Sequence, residues 1–137
     1  MRIPGSFVPF AIMLLLVPTC ARADDGAVID RWYVALLAAD RSGLSKLLAD
    51  DARIRLDDLG VEQSKAEFIA SMDEWQKSAA GASIRHRIEK SQGGVTTVIA
   101  CYDFPANDIL MQETFAVSDG RIAASSQAAI AETCDAY

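Results

Sequence analysis

The sequence predicts an α+β domain in which helical segments come first and a four-strand meander follows. Apolar residues recur at helical spacing over 28–37, and a capping box of Ser64 and Glu67 opens a second strongly periodic stretch. From Ile84 onward the apolar period changes to two, and glycine-containing turns separate the later segments. The predicted order of elements is therefore α-α-β-α-β-β-β-β.

The first 23 residues have the pattern of a cleavable secretory signal peptide. A basic residue precedes an apolar run over 7–17, and Ala21-Arg22-Ala23 supplies the small residues of a cleavage site. The apolar run is shorter than the roughly 20 residues that a membrane-spanning helix needs. We therefore predict cleavage after Ala23 and a single mature domain, residues 24–137, that is periplasmic or secreted.

The mature domain is strongly acidic. Removing residues 1–23 leaves 11 basic against 19 acidic residues, a formal charge of −8. Such a surface repels phosphate backbones and anionic lipid headgroups. We expect no nucleic-acid partner, and no membrane partner after cleavage.

Two cysteines, Cys101 and Cys134, remain after cleavage as an even pair in an oxidising compartment. We predict a disulfide between them, and the alternative is two unpaired buried thiols. One histidine and an oxidised cysteine pair cannot supply a metal-ligand cluster, so no metal is expected. Gly93-Gly94 reads as a hairpin turn and not as a phosphate loop, and no cofactor is expected either.

The first half of the mature chain predicts three helices and one short strand. Arg41-Ser42-Gly43 is expected to break the first helix, and Leu44 to Leu48 to form a short second one. Residues 49–52, Ala-Asp-Asp-Ala, would turn the chain into a strand with Ile54 and Leu56 on one face. The third helix would run from the capping box to Gly81.

Four strands should follow, over 84–90, 95–104, 109–117 and 121 to about 131. The strand that ends at Phe104 is apolar on both faces, which is unusual for an antiparallel sheet with one face in water. Helices would cover one face, and a second copy of the chain is the economical cover for the other.

This order of elements, with several short motifs, resembles the nuclear transport factor 2-like superfamily, including its SnoaL-like and ketosteroid isomerase-like branches. The motifs are Trp32-Tyr33 in the first helix, Leu47 to Ala52, Arg85 to Ile88, and the closing hairpin Asp119 to Ile122. The resemblance implies a curved, antiparallel or mixed sheet that three N-terminal helices wrap into a cone with a pocket at its open end. It also implies a homodimer through the outer face of the sheet.

The resemblance does not carry isomerase chemistry with it. Ketosteroid isomerases use an acidic base and two hydrogen-bond donors around an enolate oxygen. The corresponding positions here are Leu56, Trp32 and Ile109, and none of these side chains can do that work. Polar neighbours exist, but a shift of one residue along a strand turns a side chain to the opposite face.

Seven residues are the candidates for lining the pocket: Trp32, Tyr33, Asp57, Trp75, His86, Tyr102 and Glu113. The aromatic rings suit a flat or apolar ligand, although such rings are also typical of a core. His86 shares a strand face with apolar residues, as a hydrogen-bonded wall residue or as a general acid or base. Glu113 is either a carboxyl group of raised pKa inside the cone or the partner of an arginine across the sheet.

Three functions fit these observations. The leading hypothesis is an exported homodimer that binds a small, mainly apolar molecule without transforming it. The second is a proton-transfer enzyme that uses His86 with Asp57 or Glu113, and the third is an interaction module with a filled, vestigial pocket. A cavity with two converging ionisable groups would favour the enzyme, and an apolar cavity would favour the binding protein.

Overall fold

The computed structural model of the protein describes residues 25–137. The predicted signal peptide and its cleavage site lie outside the described residues. The elements are α1 (Asp25–Leu37), α2 (Arg41–Leu47), β1 (Leu48–Leu56), a short 3-10 turn (Asp57–Leu59), β2 (Val61–Ser64), α3 (Lys65–Ala70), α4 (Met72–Ser78), β3 (Ser83–Gln92), β4 (Val95–Asp103), β5 (Asp108–Ser118) and β6 (Arg121–Ala131). None of the helices in this part of the chain is long and apolar enough to cross a membrane.

The strands form one open six-stranded sheet in the order β2-β1-β6-β5-β4-β3. Neighbouring strands are antiparallel except for β1 and β6, which pair in parallel. The helices pack on one face of this mixed sheet and build a single large core against it. The predicted α+β class and cone-like arrangement are confirmed.

The junction between the first two helices differs from the expectation. Asp40 is the N-cap of α2, where its Oδ1 accepts a hydrogen bond from the Gly43 amide at 3.0 Å. An N-cap carboxylate satisfies amides that the first turn of a helix leaves without partners. Arg41 to Gly43 therefore form the first turn of α2. The break between the two helices lies just before them, at residues 38–40.

Three further features of the first half were not foreseen. Residues 49–52 lie within β1 and form no turn, and β2 pairs with β1 after the chain reverses through Gly60 at a φ of +61°. The third helix is divided into α3 and α4 at Ser71, whose Oγ donates to the carbonyl of Phe68 at 2.6 Å. A local bond of this kind competes with helical hydrogen bonding.

The meander of β3 to β6 agrees closely with its prediction, since the strand-forming runs and the turns between them are local signals. Inward-facing residues of β4 and β5, such as Val98, Ala100 and Phe115, belong to the core under the helices. The outer face of the same strands carries a second apolar cluster. The meander is thus apolar on both faces, as the sequence indicated.

The chain's own C-terminal segment covers this outer cluster. Cys134 lies after β6 and forms the predicted disulfide with Cys101 of β4, with an S–S distance of 2.06 Å. Ile99 and Leu110 are buried beneath the segment, with 3% of each exposed. A second copy of the chain was the expected cover for this face. At this patch the same chain supplies the cover instead.

The last residue extends this cover across β3. The Arg85 guanidinium lies over the ring of Tyr137 at 4.6 Å, and that of Arg87 at 5.7 Å. Cation–π contacts of this kind contribute about 0.5–1 kcal/mol each at exposed sites. Both arginines thus belong to the outer face of the sheet, opposite the helices.

Candidate functional site

A cavity of about 330 Å³ lies between the inner face of the sheet and the helices. Aromatic side chains make up much of its wall, and aliphatic ones complete it: Trp32, Leu36, Leu56, Leu59, Phe68, Met72, Trp75, Tyr102 and Phe115. Helix α1, the α3–α4 pair and three strands each contribute to this wall. The space is large enough for a small organic molecule.

Glu113 of β5 is the one carboxyl group deep in this cavity, with 3% of the residue exposed. The Tyr33 hydroxyl donates to its Oε2 at 2.5 Å, and the Tyr102 hydroxyl donates to its Oε1 at 2.5 Å. Each carboxyl oxygen therefore has one phenol partner. Burial without such partners would cost several kcal/mol, so the three side chains are best regarded as one unit.

Burial dominates the electrostatics of this unit. Burial raises the pKa of the Glu113 carboxyl above its usual range, and the bonds from Tyr102 and Tyr33 and the nearby His86 offset only part of the effect. Burial, followed by the charge of Glu113, also raises the pKa of both phenols, which keeps them as donors. Glu113 can thus hold or release a proton at a higher pH than a surface carboxyl group can.

The aromatic wall is held in place by specific contacts. The Trp75 indole Nε1 donates to the carbonyl of Leu36 at 2.6 Å, which ties α4 to α1. The rings of Trp32 and Phe68 stack with centroids 5.3 Å apart, and Trp75 meets Tyr102 edge to face at 6.0 Å. Such pairs order their rings as well as filling space. The cavity wall is therefore preorganised.

Polar side chains of β2, of the α3–α4 pair and of β6 complete the lining. They are Gln63 of β2, Ser71 at the junction of α3 and α4, Glu74 of α4, and Ser125, Ser126 and Gln127 of β6. Gln127 is the partner of Glu113 in the β5–β6 register, so both side chains point to the same face. A ligand could meet hydrogen-bonding groups both at its deep end and along one side.

The structure brings four of the seven candidate residues to the cavity surface, namely Trp32, Trp75, Tyr102 and Glu113. Tyr33 does not line the cavity itself, but its hydroxyl donates to Glu113, which does. His86 and Asp57 are not part of the lining.

His86 stacks on the outer side of Tyr33, with ring centroids 4.3 Å apart, and its Nε2 lies 2.7 Å from Asp30 Oδ1. Asp57 lies on the 3-10 turn, where it is exposed and accepts a hydrogen bond from Arg55 Nε at 3.2 Å. His86 and Asp57 therefore do not share the cavity with Glu113, and the predicted pairing of His86 with Asp57 or Glu113 in one cavity is wrong. Leu56 and Leu59, on either side of the Asp57-Asp58 pair, face the cavity instead.

The structural alternative for Glu113, an ion pair with Arg85 or Arg87, is also wrong. Arg85 pairs in register with Cys101, whose side chain lies on the outer face, whereas Glu113 faces inward with Phe115. The sheet therefore separates the two arginines from Glu113. The alternation of Glu113 with Met111 and Phe115 was the signal that could have decided this from the sequence.

Gln127 and Ser125 were missed as lining residues. They alternate along β6 as inward-facing positions beside Ile54 and Leu56 of β1. Polar residues in a strand usually indicate its solvent face, and it is the pairing of β6 with β5 and β1 that identifies these two as inward-facing. Nothing local in the sequence indicates that pairing.

Within residues 25–137, one group of potential metal ligands comes together: Cys101, Asp108 and Cys134. The two sulfur atoms are joined to each other, and Asp108 Oδ2 accepts a hydrogen bond from the Cys134 amide at 2.9 Å. A disulfide offers no thiolate, so this group is the anchor of the C-terminal segment.

Comparison with solved structures places the fold among known ones. IdmH of Streptomyces antibioticus, a proposed polyketide cyclase, superposes with a TM-score of 0.64 at 18% identity, over 78% of this chain and 92% of that one. A proposed ketosteroid isomerase of Kribbella flavida gives 0.62 at 14% identity, over 77% and 76%. A proposed polyketide cyclase of Sinorhizobium meliloti gives 0.55 at 24% identity, over 74% and 94%.

No protein-family model matches the sequence, and no curated protein matches it. The structural similarity, at these levels of identity, concerns the backbone. The chain therefore has the nuclear transport factor 2-like fold, as the sequence motifs predicted. A cone-like sheet with helices packed on one face is the framework in which Glu113 and its two tyrosines are held.

Proposed function

We propose that residues 24–137 form an exported domain that binds a small, mainly apolar molecule in the cavity without transforming it. The observation that carries the proposal is the cavity itself, with its mainly apolar wall and one deep carboxyl group. Ligand sites commonly combine an apolar surface with a few placed polar groups. Glu113 and Tyr102 would fix the polar end of the ligand, and the aromatic wall would hold its body.

The size of the cavity argues against the interaction-module hypothesis, because a vestigial pocket should be filled by side chains. About 330 Å³ stays open although the surrounding rings are closely packed. The structural neighbours carry names of cyclases and isomerases, so this fold is used for more than one chemistry. The choice must therefore come from the site of this chain.

Export is supported by two features of the chain. The signal-peptide pattern over 1–23 would direct secretion to the periplasm or the medium. The Cys101–Cys134 disulfide suits an oxidising compartment of that kind. Mass spectrometry of the exported protein would test both, with an N-terminus at Asp24 and no free thiols as the expected result.

Native mass spectrometry of protein purified from the exported fraction tests the binding proposal. We expect a small molecule to be retained by the wild type and lost from Gln127→Trp, which places a large ring inside the cavity. The matched control is Gln112→Trp, because Gln112 is exposed on the opposite face of the same sheet. A wild type that carries no ligand after gentle purification and binds none from a cell extract would overturn the proposal.

A second function, proton transfer on a small apolar substrate, is favoured by one observation. Glu113 is a cavity carboxyl group whose pKa is raised by burial, as general acids and bases often are. Its test is the identity of the retained molecule in the wild type and in Glu113→Gln. A binding protein would retain the same compound, more weakly in the variant, and would never yield a different one, whereas an enzyme would accumulate its untransformed substrate in the variant.

We also propose a homodimer through the part of the outer face that the C-terminal segment leaves open. A shallow hollow of about 240 Å³ lies there, lined by residues that include Arg53, Val95, Thr114 and Ala116. Twofold homodimers are the commonest soluble oligomers, and the family resemblance implies a dimer through this face. The same native mass spectra would report twice the monomer mass, and a monomer at micromolar concentration would contradict this proposal.

A further inference from the structure

The charged groups around the cavity are of one sign. Among the residues of 25–137 that line it, two are acidic, Glu74 and Glu113, and none is a lysine, arginine or histidine. Glu74 lies on α4, where it is exposed, and Glu113 lies at the deep end. An anionic ligand would thus meet two acidic side chains and no basic one, which disfavours it.

The deep carboxyl group has no cationic partner within the described part of the chain. No ion pair to Glu113 is formed there, and its two hydrogen-bond partners are neutral phenols. His86 is the one basic group that influences it, and His86 lies on the far side of the Tyr33 ring and pairs with Asp30. A carboxylate at this position would therefore gain from a positive charge placed in the cavity.

The geometry of the carboxyl group leaves room for such a partner. Both phenols act as donors, so they stabilise the charged form and occupy one acceptor direction on each oxygen. The remaining acceptor directions are free for a ligand that donates hydrogen bonds. A carbonyl or carboxylate ligand has no hydrogen to donate to the ionised form of Glu113.

The wall adds a second, independent preference. Five aromatic rings border the cavity: Trp32, Phe68, Trp75, Tyr102 and Phe115. The face of an aromatic ring attracts cations, and indole does so most strongly. Trp75 is fixed by its bond to Leu36, and Trp32 by its stack on Phe68, so neither ring needs to reorganise. Aromatic faces and a deep carboxylate together suit an organic cation.

We propose that the ligand is a small organic ammonium ion, an amine protonated at neutral pH on an apolar body, whose nitrogen pairs with Glu113 while its carbon groups lie against Trp32 and Trp75. This inference rests on the proposed binding function and names the ligand class of that same cavity. A charge-assisted hydrogen bond to Glu113 would supply the selectivity, and the apolar body would supply contact area.

Three probes with one cyclohexyl body test the proposal: cyclohexylmethylamine, cyclohexylmethanol and cyclohexanecarboxylate. Both tryptophans of the chain border the cavity, so intrinsic fluorescence reports binding directly. We expect the ammonium probe to bind at least about tenfold more tightly than the alcohol, and the carboxylate to bind most weakly. An alcohol or carboxylate that binds as well as the amine would overturn the proposal.

Two variants assign the effect to Glu113. Glu113→Gln should reduce the preference for amine over alcohol to within about threefold, while Glu89→Gln, the same change of net charge at an exposed site on β3, should retain it. A preference that survives in folded Glu113→Gln would also overturn the proposal. If that variant does not fold, the wild-type order of the three probes decides.

The experiment separates this inference from the proposed function. Retention of an uncharged apolar molecule by the purified protein, together with no preference for the amine probe, would leave the binding function standing and refute the ligand class. Failure of all three probes, with no molecule retained, would refute both.

Discussion

Tyr33 of α1 donates a hydrogen bond of 2.5 Å to Glu113 of β5, across 80 positions of sequence. This bond joins the helical layer to the middle of the sheet at the deep end of the cavity. Both residues are almost fully buried, with 3% of each exposed. The stability of the fold and the properties of the candidate site are therefore coupled through one contact.

Removing the hydroxyl in Tyr33→Phe should lower the free energy of unfolding by about 1–3 kcal/mol, because it leaves a buried carboxyl oxygen without its partner. Urea denaturation followed by circular dichroism measures this change. Tyr137→Phe is the matched control: it removes a hydroxyl but keeps the ring that packs on the outer cluster and under Arg85 and Arg87, and should change stability little. Equal losses in the two variants would contradict the coupling.

Stability should also depend on pH through Glu113. Its pKa is higher in the folded protein than in the unfolded chain, where it is about 4.3, so the folded state binds the proton more tightly. The resulting stabilisation is complete below the unfolded pKa and is lost as pH rises through the folded pKa. Tyr33, Tyr102 and His86 are the titratable groups that act on this carboxyl group.

Denaturation midpoints between pH 4 and pH 8 check this dependence. Glu113→Gln should flatten the fall in stability with rising pH, and Glu89→Gln should keep the wild-type slope. If the stability of the wild type changed with pH in the same way as the stability of Glu113→Gln, the assignment to Glu113 would be refuted.

The disulfide should contribute strongly to stability. Cys101 and Cys134 are separated by 33 positions, and closing a loop of that length stabilises a fold by about 3.8 kcal/mol in the chain-entropy model. We expect the double variant Cys101→Ser/Cys134→Ser to unfold at clearly lower urea concentration. A thiol assay on denatured, unreduced protein is the companion measurement, and two titratable thiols would contradict the cross-link.

Loss of the cross-link should also be visible at the surface. Ile99 and Leu110 are covered by the segment that Cys134 anchors, so the reduced protein should bind more of an apolar dye such as anilinonaphthalene sulfonate. The urea midpoint of the reduced wild type should match that of the double serine variant. Different midpoints would indicate that the serines themselves disturb the outer cluster.

His86 provides a test between positioning and catalysis. His86→Phe keeps a ring against Tyr33 and loses the contact with the exposed Asp30, which is worth at most about 1 kcal/mol. We expect retention of the native ligand to be unchanged, because His86 does not line the cavity. A lost or chemically different ligand in this variant would restore the acid–base role that the sequence suggested.

Features of the fold that depend on neighbouring residues could be predicted from the sequence, whereas features that depend on contacts between distant residues could not. The alternation that defines β3 to β6 and the capping box at Ser64 are local signals, and both are confirmed. Strand β2 was missed because Val61 to Ser64 is short, mostly polar and at the edge of the sheet. Its pairing with β1 depends on a turn at Gly60 that periodicity does not reveal.

The candidate site was predicted in part for the same reason. Glu113 and three aromatic residues were found because they are inward-facing in locally periodic segments. His86 also faces the helices, yet it stacks on Tyr33 and does not line the cavity, and only packing in three dimensions determines this. Asp57 was expected to line the pocket, but on the 3-10 turn it contacts Arg55 instead.

The covalent ring closed by Cys101 and Cys134 contains the whole of β5 and β6. When the oxidised chain unfolds, these two strands remain confined within one short loop, and the entropy lost on pairing them again is correspondingly small. They carry Glu113 and Gln127, so we expect the sheet side of the cavity to regain its register early in refolding. The helical walls, which approach from distant sequence, would then close over a base that is already assembled.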